Sequence, residues 1–234
     1  MFAVDTILFD LDGTLLGNNM DRFMPAYFAI LGDYARPVLP KDRFLKELMA
    51  ATQAMIKNED PTVSNHAAFW AHFGAATGLD PRTTEGFFDD FYRFQFAQLE
   101  RVTEARPVTR PLIEHCFEQG WQVIIATNPL FPRSAIEQRL AWAGVPVSNY
   151  PYALVTSYEN MHSTKPHPAY YHEILQRVGA TAEKTLMVGD DWGNDIVPAG
   201  AIGLQTYWIS LTPHPTTPSG TLDDFYRQLV ASGK

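Results

Sequence analysis

The sequence has little cysteine and an excess of acidic over basic residues. Its one cysteine, Cys116, excludes a disulfide within the chain. The 234 residues include 18 lysines and arginines against 26 aspartates and glutamates, a net charge of -8. This balance argues against nucleic acid as a partner, because non-specific binding to a phosphate backbone needs clustered basic side chains. A small phosphorylated substrate stays open, since one site can be positive in a chain that is negative as a whole.

The sequence also lacks an apolar run as long as a membrane span. No basic leader precedes the first apolar segment, which begins within a few residues of Met1. We therefore expect no membrane association and a cytoplasmic location. These features do not indicate an oligomeric state.

The pattern of apolar residues predicts an α/β fold in the second part of the chain. From about residue 105 onward, β-branched segments at 122–126, 153–156 and 185–188 alternate with segments of helical spacing. The apolar segment 6–9 near the start predicts one further strand. Strands that alternate with helices favour a Rossmann-like parallel sheet flanked by helices.

Residues 17–104 have a different character. Apolar residues recur there at helical spacing in about four segments, which loops rich in proline, glycine and aspartate separate. We find no strand pattern in this region. The sequence therefore predicts a core domain formed by residues 1–16 and 105–234, and a helical-bundle cap domain formed by residues 17–104.

The segment 9–15, with the sequence FDLDGTL, lies where the first predicted strand ends. Asp10 and Asp12 are two residues apart, so their side chains leave the strand on the same side. Two carboxylates this close repel each other unless a lysine, a metal ion or a shared proton compensates. A calcium-binding loop is a poor match, because Thr14 and two leucines follow where further oxygen ligands are needed.

Polar side chains follow the other predicted core strands as well. In chain order, these residues are Thr127 and Asn128 after the second strand, Lys165 in the loop after the third, and Asp190, Asp191 and Asp195 after the fourth. Functional groups in a parallel sheet gather at the carboxyl ends of the strands. We therefore expect these side chains to meet the first aspartate pair at one edge of the sheet.

The chemistry that fits this set is transfer of a phosphoryl group to an aspartate. One carboxylate attacks phosphorus, and a neighbouring acid protonates the leaving alkoxide and then deprotonates the attacking water. Thr127, the backbone of Asn128 and Lys165 are candidates to bind the phosphoryl oxygens. Clustered carboxylates that meet a dianion need a hard cation, and ligands that are all oxygen point to Mg²⁺.

The four segments, in this order, resemble the motifs of the haloacid dehalogenase superfamily. The matching residues are FDLDGTL at 9–15, Thr127 and Asn128 after an alanine, Lys165 before a proline, and Asp190 with Asp195 five residues later. The resemblance covers residues 1–16 and about 105–234. The helical insertion lies where that superfamily has a cap, directly after the first motif.

The resemblance implies a role for each matched residue. Asp10 is expected to be the nucleophile, and Asp12 the general acid and base. Thr127, Asn128 and Lys165 are expected to bind the phosphate of the substrate.

The resemblance also implies a magnesium site. Asp10, Asp12 through its backbone carbonyl, and Asp190 are the expected ligands, and Asp195 is a supporting acid that contacts a metal-bound water or the lysine. Spacing alone leaves open whether Asp191 shares the metal. Asp190 is favoured because it directly follows the predicted strand end.

The presence of Asp12 favours the phosphatase branch of this superfamily, because that aspartate is replaced in the dehalogenase branch. A phosphomutase with the same four motifs stays open as an alternative, as does a non-catalytic binding protein on the same scaffold. We predict a Mg²⁺-dependent phosphatase for a small phosphorylated metabolite, since a cap of this size would close over the site. Arg22, Arg36 and Arg43 are candidates to contact an anionic part of that substrate.

Overall fold

The computed structural model describes residues 3–232. Eight strands lie in this range: β1 (Thr6–Phe9), β2 (Leu16–Asn18), β3 (Thr103–Ala105), β4 (Gln122–Ile125), β5 (Leu154–Val155), β6 (Thr185–Gly189), β7 (Gln205–Ile209) and β8 (Ser219–Gly220). The same residues form nine α-helices: α1 (Met20–Tyr34), α2 (Lys41–Ile56), α3 (Asn65–Thr77), α4 (Pro81–Phe94), α5 (Thr109–Glu118), α6 (Arg133–Trp142), α7 (Pro168–Val178), α8 (Val197–Ala201) and α9 (Leu222–Ser232). Within residues 3–232, every helix is too short or too polar to span a bilayer.

Six of the strands form one parallel sheet in the order β5-β4-β1-β6-β7-β8. β1 is near the centre, with Phe9 paired to Ile125 of β4 on one side and to Val188 of β6 on the other. Ile7 and Phe9 pack into a cluster with α5, α6 and α9, whereas Leu8 packs against α7 on the opposite face. Because side chains alternate along a strand, the sheet is buried on both faces. The predicted α/β fold is confirmed.

The helical cap consists of α1 to α4 and lies between β2 and β3 in the chain. Aromatic side chains form much of its interior, and Phe44 stacks on Phe88 with ring centroids 5.2 Å apart. The expectation of no strand between residues 17 and 104 was wrong, because β2 and β3 pair antiparallel with Gly17 opposite Glu104. Strands of three residues are too short to show an alternating pattern. The boundary between the two domains remains a prediction. We place it at the pair formed by β2 and β3.

Replacement of Gly86 by alanine is expected to stabilise the cap. Gly86 lies exposed in the interior of α4, and a Cβ atom there would meet no atom within 4 Å. Because glycine costs a helix interior about 1 kcal/mol relative to alanine, Gly86→Ala should raise the free energy of unfolding by about 0.5–1 kcal/mol in urea denaturation.

The matched control is Gly179→Ala. Gly179 ends α7 at a φ of 67°, and a Cβ atom there is equally free of contacts. Its left-handed conformation should make this substitution destabilising by about 1 kcal/mol. A similar effect of both substitutions would contradict the argument, since only backbone conformation distinguishes the two sites.

Candidate active site

The carboxyl edge of the sheet brings together side chains from four separate parts of the chain. Asp10 follows β1, Thr127 follows β4 and Asp190 follows β6, while Lys165 reaches the same edge from the loop after β5. The Asp10 N–H donates a hydrogen bond of 2.9 Å to the carbonyl of Val188, which keeps the first motif aligned with β6. The structure thus places these residues together as expected, and their chemical roles remain predictions.

A buried ion-pair cluster lies at the centre of this edge. The Lys165 ammonium contacts Oδ1 of Asp10 at 2.8 Å and Oδ1 of Asp195 at 2.6 Å, and all three side chains are buried. Burial opposes the charge of Lys165, but the two carboxylates outweigh it and raise the pKa of the ammonium well above its usual value. Burial also raises the pKa of the Asp10 carboxyl, although Lys165 acts in the opposite direction.

The carboxylates of this cluster outnumber the lysine. Oxygen atoms of Asp10, Asp190 and Asp195 lie within 4.8 Å of one another. Burial, followed by the charge of Asp10, raises the pKa of Asp190 to about 6, and burial raises the pKa of Asp195 to about 7. The single ammonium of Lys165 cannot neutralise all three carboxylates. The atoms that could bind a cation here are all carboxylate oxygens. This donor set fits a Mg²⁺ ion.

Asp190 and Asp191 are neighbours in the chain but point to different surroundings. Asp190 accepts a hydrogen bond of 3.2 Å from the Thr14 hydroxyl, which ties it to the first motif. Gly13 has a φ of 87°, and a Cβ atom there would collide with the Asp190 carboxyl. Asp191 is exposed and accepts hydrogen bonds of 2.9 Å from the N–H groups of Gly193 and Asn194 in its own loop. The geometry therefore continues to favour Asp190 as the metal ligand.

The Asp12 side chain is held by two further residues, and of these the sequence reasoning did not assign Arg139 to the site. Its Oδ1 accepts a hydrogen bond of 2.8 Å from the amide of Asn18, and its Oδ2 forms a salt bridge with Arg139 of α6. Arg139 is buried, and its guanidinium lies 4.7 Å from the centre of the Phe131 ring. Both carboxylate oxygens of Asp12 are thus fixed in direction.

A signal for Arg139 was present in the sequence. Arg139 lies three and four residues after Ile136 and Ala135, which are buried apolar residues of the same helix. Residues with this spacing share one helix face, so a basic residue here interrupts an apolar stripe. Because an arginine is almost never fully buried unless it is paired, this position predicts an acidic partner inside the core.

The predicted phosphate-binding loop after β4 is tightly anchored. The carbonyl of Thr127 accepts hydrogen bonds from the Thr156 hydroxyl at 2.7 Å and from the Tyr170 hydroxyl at 2.9 Å. The side-chain oxygens of Asn128 and Thr164 are buried and have no hydrogen-bond partner among the described residues. A rigid loop next to unpaired polar atoms suits the binding of a polar group.

The cap contacts this edge through the first residues of α3. The N–H groups of Asn65 and His66 each donate a hydrogen bond of 2.8 Å, to the carbonyls of Met161 and Tyr158 respectively. The fully buried amide of Asn65 also donates to the carbonyl of Ser163 at 3.1 Å. The first N–H groups of a helix have no partner within the helix, and here the core supplies a partner for two of them. No sequence pattern indicated Asn65, because its partners belong to a distant loop.

The three cap arginines proposed for an anionic group are exposed. Arg36 pairs with Asp33 at 2.9 Å, and Arg43 donates to the carbonyl of Thr77 at 3.4 Å. Arg36 and Arg43 thus bond to other residues on the surface of the cap.

Two groups of named proteins are similar to the chain along most of its length. It is 24% identical over 228 residues to the phosphoglycolate phosphatase of Haemophilus influenzae (strain 86-028NP), covering 95% of each chain. It is 26% identical over 213 residues to the pyrophosphatase PpaX of Bacillus cereus (strain AH820), covering 89% of this chain and 84% of the other.

The fold is similar to that of a 2-haloacid dehalogenase from Pseudomonas syringae pv. Tomato DC3000, whose crystal structure matches with a TM-score of 0.62. The two chains are 19% identical, and the match covers 99% of this chain and 100% of the other. At this identity the likeness describes the fold and not the reaction.

A family model of haloacid dehalogenase-like hydrolases matches residues 4–203. The chain is therefore an enzyme that belongs to the haloacid dehalogenase-like hydrolases.

Proposed function

We propose that the protein is a Mg²⁺-dependent phosphatase that hydrolyses a small phosphorylated metabolite through an aspartyl-phosphate intermediate. The observation that carries the proposal is the contact of the buried Lys165 with Asp10, which lies two residues before Asp12, whose side chain Asn18 and Arg139 hold. The names of the similar phosphoglycolate phosphatase and pyrophosphatase support action on phosphate groups. The presence of Asp12 argues against a dehalogenase.

In the first step, a carboxylate oxygen of Asp10 attacks the phosphorus atom of the monoester. A bond forms between Asp10 and phosphorus, and the bond between phosphorus and the alcohol oxygen breaks. Asp12 donates a proton to that oxygen, so that the alcohol leaves uncharged. Lys165 and the loop at Thr127 stabilise the negative charge on the phosphoryl oxygens.

In the second step, Asp12 takes a proton from a water molecule, which attacks phosphorus. The bond from phosphorus to Asp10 breaks, and inorganic phosphate and the original carboxylate are formed. Asn18 and Arg139 fix the position of the Asp12 side chain. Asp10 and Asp190, with the backbone carbonyl of Asp12, would hold Mg²⁺, which supplies positive charge for the phosphoryl group.

Further expectations accompany this proposal. We expect a cytoplasmic enzyme, and we expect neither nucleic acid nor a membrane as a partner.

Asp195 is proposed to act by holding Lys165, because its Oδ1 contacts the ammonium and its Oδ2 accepts a hydrogen bond of 3.0 Å from the Asp191 N–H.

Removal of divalent metal is expected to stop the reaction. With p-nitrophenyl phosphate as substrate, EDTA should lower the rate of phosphate release by about tenfold or more, because the charge of the phosphoryl group is then opposed by three carboxylates. Excess Mg²⁺ should restore the rate. The measurement is the initial rate in Mg²⁺, in EDTA, and in EDTA followed by excess Mg²⁺.

Circular dichroism in the same solutions is the control, since a loss of fold would also lower the rate. Full activity in EDTA would contradict the proposal of metal dependence. Transfer of phosphate to a second sugar phosphate, with little release of inorganic phosphate, would instead identify the phosphomutase alternative.

A further inference from the structure

A cavity of about 400 Å³ lies in the helical cap, on the side that faces the core. All four cap helices line it, and residues 130–132 of the core close one side. These core residues follow Thr127 closely in the chain. The ring of Phe131 borders the cavity and also lies over Arg139, which holds Asp12. The Phe131 ring therefore contacts both the cavity and the arginine that holds the predicted general acid.

The lining of the cavity is mainly aromatic and aliphatic. Phe69, Trp70 and Phe88 contribute aromatic surface, and Leu48 and Ile56 of α2 contribute aliphatic surface. Cavities that bind small molecules commonly have volumes of roughly 300–1,000 Å³ and apolar walls with few polar groups. The size and lining of this cavity suit an apolar chemical group rather than a polar one.

The charge of the lining argues against a second anionic group. Among the described residues that form the wall, the charged ones are Glu85 and Asp89, both acidic. Glu85 contacts the imidazole of His66, whereas Asp89 would repel an anion, and no lysine or arginine of the described wall would compensate. Arg36 and Arg43 are exposed and bonded elsewhere on the cap.

We propose that this cavity binds an uncharged apolar part of the substrate alcohol, such as an aromatic ring or a branched alkyl group, while the phosphate lies at Asp10. This inference rests on the phosphatase function proposed above and narrows the substrate class to phosphate monoesters of bulky apolar alcohols. The bond that breaks is the one between phosphorus and the oxygen of that alcohol. The alcohol accepts its proton from Asp12, so the cavity holds the group that leaves.

A comparison of two substrates tests the proposed substrate class, the phosphate monoesters of bulky apolar alcohols. We expect kcat/KM in Mg²⁺ to be at least about tenfold higher for 2-phenylethyl phosphate than for 2-phosphoglycolate, because both esters release an alkyl alcohol and the second has a carboxylate in place of an apolar ring. A preference of the same size for 2-phosphoglycolate would overturn the inference. It would leave the phosphatase function intact.

A cavity-filling variant tests whether the apolar group of the substrate binds in this cavity. Thr52 of α2 lines the cavity, so Thr52→Trp should lower the ratio of kcat/KM for 1-naphthyl phosphate to that for acetyl phosphate by about tenfold. The matched control is Lys46→Trp, which adds the same indole to the same helix at a side chain that is 81% exposed. The control should leave the ratio unchanged. An equal change in both variants would overturn the location.

Binding of 1-naphthol to the metal-free protein separates the two proposals, because it needs neither metal nor catalysis. We expect equilibrium dialysis to detect binding that Thr52→Trp weakens and Lys46→Trp does not. If this binding occurs but no phosphate ester is hydrolysed, the ligand class of the cavity stands and the phosphatase function fails. If 2-phosphoglycolate is hydrolysed and 1-naphthol does not bind, the cavity proposal fails and the phosphatase function stands.

Discussion

Replacement of Asp10 by asparagine is expected to lower the rate of phosphate release from p-nitrophenyl phosphate by about a thousand-fold or more. The amide has nearly the same shape as the carboxylate but lacks the charge and the nucleophilic oxygen. The substitution also removes one of the two carboxylates that contact Lys165, whose ammonium lies 2.8 Å from Asp10. The measurement is the initial rate in saturating Mg²⁺, together with a search for phosphorylated protein after rapid acid quenching.

Asp191→Asn is the matched control for this prediction. It makes the same chemical change at the same edge of the sheet, but Asp191 is exposed and bonded within its own loop. Its activity should remain within about twofold of the unmodified protein, as for most surface substitutions. Equal activity of the Asp10 and Asp191 variants would show that Asp10 is not the nucleophile.

Replacement of Arg139 by methionine is expected to lower the free energy of unfolding by about 3 kcal/mol or more. The change removes the buried partner of the Asp12 carboxylate and leaves that charge largely shielded from water. It also removes the guanidinium that lies over the Phe131 ring. Methionine retains much of the apolar volume of the side chain, so the loss reports mainly on the charge pair. Urea denaturation monitored by circular dichroism measures it.

Arg133→Met provides the comparison on the same helix. Arg133 is exposed and pairs with Glu137 at 2.6 Å, so its replacement should cost less than about 1 kcal/mol. The double variant Asp12→Asn with Arg139→Met should lose less stability than the sum of the two single variants, since it leaves no unpaired charge. Strict additivity, or equal costs for the two arginines, would refute the role of Arg139 as the partner of Asp12.

The sequence was sufficient to locate the candidate site because its residues follow strand ends. Each of Asp10, Thr127 and Asp190 comes after an apolar segment that forms a strand. Parallel sheets place such positions at one edge whatever the details of packing. The first and last motifs could therefore be expected to meet, and Thr14 does bond to Asp190 across a separation of 176 residues.

The residues that reasoning from sequence missed depend on how helices pack against loops. The amide of Asn65 donates to the carbonyl of Ser163, which lies 98 residues further along the chain, and no local pattern encodes that contact. The cavity of the cap results from gaps between four helices, and apolar spacing reveals which face of a helix is buried but not where packing is incomplete. The pairing of β2 with β3 was missed because strands of three residues carry no periodic signal.

The pairing of β2 with β3 also limits the conformational entropy that the long insertion costs the core. Gly17 lies directly opposite Glu104, so the insertion leaves and rejoins the core one strand spacing apart. The entropy cost of closing a loop grows only with the logarithm of its length, by about 0.6 kcal/mol for each doubling. An insertion of this length therefore costs the core only a few kcal/mol more than a short hairpin would. Loop closure by itself therefore sets little limit on the length of the helices between these two strands.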